Sequence, residues 1–271
     1  MKTAKHAERL RRVEGRHNAL VKELRQAFSR GALTPAGECA IEGFRVIEEA
    51  VRSGLRIRTI FFAESAEPRA HKLLPQIAAQ AEALLLPDKL FASAVPSQTP
   101  QGVAALVYVK SFAADEVVGS PSAGPVLVIA GVQDPGNLGT IIRSAEAFGA
   151  KGILLGEGTV SAYNSKVVRA SAGSVFRVPL AQIGMESAIE LLRSKAFRLL
   201  ATSSHKGTPL PKIILSDLAA IFIGNEGAGI DKKLLAQMDE LIMIPHSAKV
   251  ESLNAGVAAS IVLYEVARQG R

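Results

Sequence analysis

The sequence predicts an α/β protein: a mostly parallel sheet covered by helices, preceded by a smaller α/β domain. Three observations point there. Strand-like apolar runs alternate with helical periodicity along nearly all of the 271 residues. The run Pro125–Val132 is almost continuously apolar, as a strand buried on both faces should be. Between the two halves, residues 110–124 (KSFAADEVVGSPSAG) lose periodicity and end in Ser, Pro and Gly. The domains expected are therefore 1–110 and 125–271, joined by a linker at 111–124.

The N-terminal segment is basic. Residues 1–30 carry nine basic and three acidic side chains, so the other 241 residues hold only one of the seven net positive charges. Such a concentration suits contact with a polyanion, although a solvated helix face explains the charge equally well. Leu10, Val13, Leu20, Val21, Leu24 and Phe28 recur at near-helical spacing, predicting an amphipathic helix within 9–29, with Gly15 as a break and Asn18 as a cap. The only aromatic residue there is Phe28, which argues against a membrane-surface helix. A second helix is expected over 40–53, stopped by Gly54. A strand at 57–63, a helix at 67–81 and apolar runs at 83–86 and 103–109 complete this half.

Beyond the linker the order is strand 125–132, loop 134–139, helix 140–148, strand 152–155, helix 164–174 and strand 176–180. Then come helix 186–196, strands 198–202 and 219–223, helix 231–238, strand 240–244 and helix 253–268. That alternation is the pattern of a parallel sheet. No apolar run approaches the ~18 residues of a membrane span, and the N-terminus lacks the apolar core of a secretory signal. One cysteine, Cys39, allows no intrachain disulfide. These features fit a cytoplasmic protein. Without clustered His and Cys, no metal site is expected.

Four segments carry candidate chemistry. Asn137-Leu-Gly139-Thr-Ile-Ile-Arg143 follows a buried strand, where open α/β sheets bind ligands, so Asn137 and Arg143 can face the crevice. Equally, Asn137 can be a turn residue and Arg143 a surface arginine. Gly224-Asn225-Glu226-Gly227-Ala-Gly229 has neither the dinucleotide fingerprint nor the phosphate-loop pattern. Its acid would repel a phosphate, so a neutral or cationic cofactor suits it better, unless it is only a turn with a capping acid. Ile244-Pro245-His246 and Val250-Glu-Ser252-Leu253-Asn254 put polar side chains beside the free N–H groups of a helix start; simple capping is the alternative. Asn164-Ser-Lys166-Val-Val-Arg169-Ala-Ser171-Ala-Gly173 pairs cations with small residues, suited to phosphate contact or to close packing.

In combination and order, these segments resemble the SpoU/TrmH family of RNA 2′-O-ribose methyltransferases of the SPOUT superfamily. The carriers are Asn137-x-Gly139-x-x-x-Arg143, Arg169-Ala-Ser171-Ala-Gly173, Gly224-Asn-Glu-Gly227, Ile244-Pro245 and Val250-Glu-Ser-Leu-Asn254, spanning 125–270. Glu42-Gly43 and Thr99-Pro-Gln-Gly102-Val look like the family's small ribosomal-protein-like RNA-binding domain. The resemblance implies a C-terminal SPOUT domain with a trefoil knot, a homodimer, and S-adenosylmethionine as cofactor. It implies cofactor contacts at Thr202, Gly224, Ile244 and Leu253. It implies a reacting centre of Asn137, Arg143, Glu226, Ser252 and Asn254. Arg143 is the family's proposed base, but a guanidinium of pKa above ~12 is better placed to stabilise a developing alkoxide. His246, where many relatives have methionine, and Ala255-Gly256 depart from the common pattern. The expected substrate is ribosomal RNA, bound through Arg11, Arg12, Arg16, Lys22, Arg25 and Arg169. Transfer RNA as substrate, or a non-catalytic RNA-binding protein on the same fold, are the competing readings. A nicotinamide dehydrogenase would need the dinucleotide fingerprint, which is absent.

Overall fold

The apolar runs assemble into two sheets, one in each of two units: Met1–Lys110 with Tyr163–Phe176, and Ser111–Ala162 with Arg177–Arg271. The computed structural model describes residues 9–15, 17–120, 124–204, 206–215 and 218–270.

The first unit contains β1 (Leu10–Arg12), α1 (Ala19–Arg30), β2 (Glu38–Glu42), α2 (Phe44–Arg52), β3 (Ile57–Ala63), α3 (Glu67–Leu73), β4 (Glu82–Leu86), α4 (Asp88–Ala92) and β5 (Val103–Tyr108). Its sheet runs β1-β4-β3-β5-β2, with β5 antiparallel to β3 and β2. The Asn18 side chain caps α1, accepting from the N–H of Leu20 and Val21 at 3.0 and 3.3 Å. Val21, Leu24 and Ala27 form the buried face of α1.

Three expectations need correction here, and one is the helix at 67–81, which ends at Leu73 and passes through a 3-10 turn at Leu74–Gln76 into extended chain at Ile77. The basic segment is not one helix, because Leu10–Arg12 pairs with β4 as an edge strand. Residues 38–42 are a strand, and the helix starts only at Phe44, after Gly43 at φ +99°. Glu38 and Glu42 disguise that strand, since buried carboxylates are rare unless paired. Here both have partners. Glu38 meets Arg58 and accepts from Thr34 Oγ1 at 3.2 Å, while Glu42 accepts from Ser97 Oγ at 2.8 Å.

The second unit holds α5 (Ala114–Val118), β6 (Val126–Ala130), α6 (Pro135–Ala147) and β7 (Gly152–Leu155). The chain then contributes α7 (Ser165–Ala170) to the first unit before returning at β8 (Leu180–Gln182). It continues through α8 (Met185–Ser194), β9 (Arg198–Ser203), β10 (Thr208–Pro209), β11 (Ala219–Gly224), α9 (Lys232–Leu235), β12 (Glu240–Met243) and α10 (Ala255–Gln269). The sheet order is β10-β12-β9-β11-β6-β7-β8, and every neighbouring pair is parallel. β6 enters in the interior; β7 and β8 extend one way, while β11, β9 and β12 lie the other. That reversal is where ligands bind in such sheets, beyond the carboxyl ends.

The 111–124 stretch is more than a linker: α5 buries Val117 and Val118 in the core with Val126, Val128 and Leu154. Its start is fixed by Glu116, whose side chain accepts from Ala113 N at 2.7 Å. Polar flanks conceal these two valines from a periodicity reading.

Candidate functional site

Residues 135–139 form the first turn of a helix rather than a loop. Pro135 opens α6, and Asp134 caps it by accepting from Asn137 N at 2.8 Å. Proline suits that position, because its missing N–H would have no helical partner there. Asn137 is thereby placed in the first turn and buried, only 8% exposed. At the other end of the site Asn254 caps α10, its Oδ1 accepting from Val257 N at 3.1 Å.

A hydrogen-bonded chain joins these helix starts to the glycine loop after β11. Glu226 Oε1 accepts from Asp134 N and from Asn137 Nδ2, both at 3.0 Å, and Oε2 accepts from Gln133 N at 3.2 Å. Asn254 Nδ2 donates to Asn137 Oδ1 at 2.7 Å. The amide orientations follow from the carboxylate. Ionised Glu226 can only accept, so Asn137 must present its NH₂ to it and its oxygen to Asn254. Burial works to raise the Glu226 pKa, but the donated bonds from Asn137, Asp134 and Gln133 outweigh it, and the net shift is downward.

Beside this chain lies a cavity of about 270 Å³, walled by 202–204, 223–230 and 244–258 segments. Ile223, Ile230, Ile244 and Leu253 supply apolar walls, while Thr202, Ser203, Ser204 and Asn225 supply small polar groups. Gly224 is required where it stands: a Cβ there would sit 2.5 Å from the Gly229 carbonyl carbon. Among the described residues that line the cavity there is no lysine or arginine, and one is the carboxylate Glu226. That donor set disfavours a phosphate and suits a neutral or sulfonium ligand with an apolar ring. His246 also lines it, with Nδ1 2.7 Å from the Ile244 carbonyl; the carbonyl can only accept, so Nδ1 carries the proton. Among the described residues no cluster of His, Cys, Asp or Glu could hold a metal, and no helix is long and apolar enough to cross a membrane.

The structure brings most of the expected site residues together. Thr202, Gly224, Ile244 and Leu253 line the cavity, as do Glu226, Ser252 and Asn254, and Asn137 joins them through Glu226 and Asn254. Arg143 is exposed on α6, does not line the cavity, and among the described residues makes no ion pair or hydrogen bond. The expected RNA contacts are scattered over the first unit. Arg11 pairs with Glu82, and Arg12 lies 3.6 Å from both Glu64 and Glu67. Arg25 is bonded to Ser93, and of the expected RNA contacts that fall among the described residues, Lys22 alone is exposed with no side-chain partner. Arg169 donates to Ser97 Oγ at 2.7 Å and stands 3.9 Å from Glu42. Arg16 lies outside the described residues. Sequence reasoning passes over Asp134 and Asn225. For Asn225 the available signal is the glycine two positions on, whose N–H such a side chain bonds, and for Asp134 it is the proline that follows it at a helix start.

Known proteins resemble the chain over most of its length. Residues 124–264 match the SpoU rRNA Methylase family, and residues 18–105 match the MRM3-like substrate binding domain. The chain is 31% identical over 257 residues, 95% of its length and 99% of the relative's, to the 23S rRNA (guanosine(2553)-2′-O)-methyltransferase RlmP of Bacillus subtilis (strain 168). Among solved structures it is similar to an AdoMet-bound rRNA methyltransferase from Sinorhizobium meliloti, with TM-score 0.83, 26% identity, and 96% and 98% of the two chains covered. It is also similar to the SpoU methyltransferase AviRb from Streptomyces viridochromogenes in complex with AdoMet, with TM-score 0.80, 27% identity, and 94% and 98% covered.

Proposed function

We propose that this chain, which belongs to the SpoU rRNA Methylase family, transfers the methyl group of S-adenosylmethionine to a ribose 2′-hydroxyl of ribosomal RNA in the cytoplasm. The observation that carries the reading is the Glu226–Asn137–Asn254 chain at the edge of a cation-tolerant cavity beyond the carboxyl ends of a parallel sheet. When bound, the cofactor supplies a methyl group already activated by its sulfonium.

Thr202, Gly224, Ile244 and Leu253 hold the cofactor, in a cavity formed where the family's trefoil knot is expected. Glu226 fixes the start of α6 through three accepted bonds. Asn137 and Asn254 orient the ribose side of the site, and Ser252 borders it. Arg143, exposed on α6, meets the RNA phosphate and stabilises the negative charge that develops on the attacking oxygen as its proton passes to water. The unit built on 1–110 selects the RNA, and 125–271 carries the transfer chemistry, with 163–176 packed in the first unit. The active form is a homodimer. Val257, Ile261 and Tyr264 recur along one stripe of α10 and are 46%, 36% and 55% exposed, an apolar face suited to a second copy. Ile261→Lys is expected to yield monomers in light scattering; an unchanged dimer would remove that face from the interface.

The test of the function is transfer of a labelled methyl group from S-adenosylmethionine to ribosomal RNA and to transfer RNA from cells lacking the gene. Incorporation into ribosomal RNA, blocked when the mapped nucleotide is 2′-deoxy, is expected. Incorporation only into transfer RNA, or at a base, would overturn the reading.

A further inference from the structure

Asn225 does two separate things. Its Oδ1 accepts from Gly227 N and Ala228 N at 2.9 and 3.0 Å, and its backbone exchanges two 3.0 Å bonds with Gly229. Those bonds close the glycine loop, as an asparagine turn does anywhere. Its Nδ2 does something the turn does not need: it donates at 2.7 Å to the carbonyl of Gly131, at the exit of β6. Gly131 is gripped from its other side too, its N–H bonding Thr159 Oγ1 at 3.2 Å, which itself donates to Ile129 O. Gly131 sits three residues before Asp134, and at φ +82° it sets the direction in which the chain enters α6. The next residue of the loop, Glu226, takes the N–H groups of Gln133 and Asp134. One side of Asn225 therefore shapes the cavity wall, and the other ties that wall to the segment leading to Asn137 and Arg143.

We infer that Asn225 is a positioning residue for methyl transfer: its bond to Gly131 sets the register between the cofactor loop and the start of α6. This rests on the function proposed above. A loop-closing role alone would affect ligand binding, whereas a register role separates turnover from binding, because a misplacement of about 1 Å costs up to ~100-fold in rate.

The test separates the two halves of the amide. Asn225→Asp keeps the acceptor for Gly227 and Ala228 but turns an oxygen toward the Gly131 carbonyl. Asn225→Ala loses both. S-adenosylmethionine affinity by calorimetry, and kcat and KM for ribosomal RNA, are measured for each. Asn225→Asp is expected to bind the cofactor within about threefold of the parent while kcat falls about tenfold or more with KM unchanged. Asn225→Ala is expected to lose cofactor affinity as well. Should Asn225→Asp misfold, Asn225→Ser, which can close the turn but cannot reach Gly131, is expected to show the same split. Parental kcat in the folded Asp or Ser variant, or a loss confined to cofactor affinity, overturns the inference while leaving the proposed function standing. A parent that binds the cofactor but transfers nothing to RNA overturns both.

Discussion

Gly256 lies in the first turn of α10, where that helix packs against α6. A Cβ there would stand 3.1 Å from Thr140 Cβ, 3.2 Å from Thr140 Cγ2 and 3.3 Å from Asn254 Oδ1. Carbon atoms prefer about 3.5–4.0 Å, so Gly256→Ala must part the helices by roughly 0.5 Å. Lower down the same seam, Ser144 and Ser260 share a 2.7 Å bond. Overpacking costs about 1–3 kcal/mol, and replacing glycine with alanine in a helix returns about 1 kcal/mol. The net is a loss of about 0–2 kcal/mol, so Tm should fall by only a few degrees. Activity should respond more, because the parting falls where Asn254 donates to Asn137 at 2.7 Å. A kcat about tenfold lower is expected at saturating cofactor and RNA. Adding Thr140→Gly removes both contacting atoms and swaps the glycine across the seam. That double variant should recover kcat even though glycine at 140 gives up about 0.3 kcal/mol more of helix propensity and lowers Tm again. Thermal melts alongside steady-state transfer decide it: full kcat in Gly256→Ala, or a double variant no faster than the single, refutes the claim that this seam sets the Asn137–Asn254 contact.

Arg143→Ala should abolish nearly all transfer while leaving the calorimetric affinity for S-adenosylmethionine within about twofold, since Arg143 does not line the cavity; substantial transfer by the variant would end its assigned role. Burial raises the Glu42 pKa against the opposing pull of Ser97 and Arg169. A carboxyl raised in the folded state costs nothing below its unfolded value, and the penalty grows as pH rises through the folded value. The Tm of Glu42→Gln should therefore gain on the parent between pH 4 and pH 7, and a shift the other way would mean that the Arg169 interaction outweighs burial. Because α1 buries Val21, Leu24 and Ala27, the basic segment is better tested by charge than by deletion. Lys22→Ala with Arg30→Ala should lower the slope of log K against log salt for RNA binding by roughly 0.7–0.9 for each phosphate that is no longer neutralised, and an identical slope would place the RNA elsewhere.

Long apolar signals are the most readable features. Val126–Ala130 and the 255–269 helix stand almost where their patterns put them, because each is decided by its own side chains. Glu38–Glu42 misleads for the opposite reason: its two acids are tolerable in a strand only because Arg58, Ser97 and Arg169 reach them from distant parts of the chain. Leu10–Arg12 reads as helix because an edge strand of three residues offers no period of its own; its pairing with β4 makes it a strand. At the candidate site, the polar residues at loop ends are visible in the sequence, but their connections are not. Nothing local says that Glu226 spends its oxygens on Gln133, Asp134 and Asn137, or that Asn225 reaches Gly131.

Those connections bear on how the site works. A general base needs a pKa near the working pH and a free lone pair. Glu226 has a lowered pKa, and its two oxygens already accept three N–H donors. The Asn137 amide is committed on both sides, to Glu226 and Asn254. Arg143 carries a guanidinium, which offers N–H donors and no acceptor. The polar groups gathered here are thus built to hold position rather than to exchange protons. Alignment of two reactants is worth ~7–11 kcal/mol in favourable cases. A site organised this way should lose rate when its hydrogen-bonded frame is displaced by fractions of an ångström, even with every candidate catalytic side chain still present.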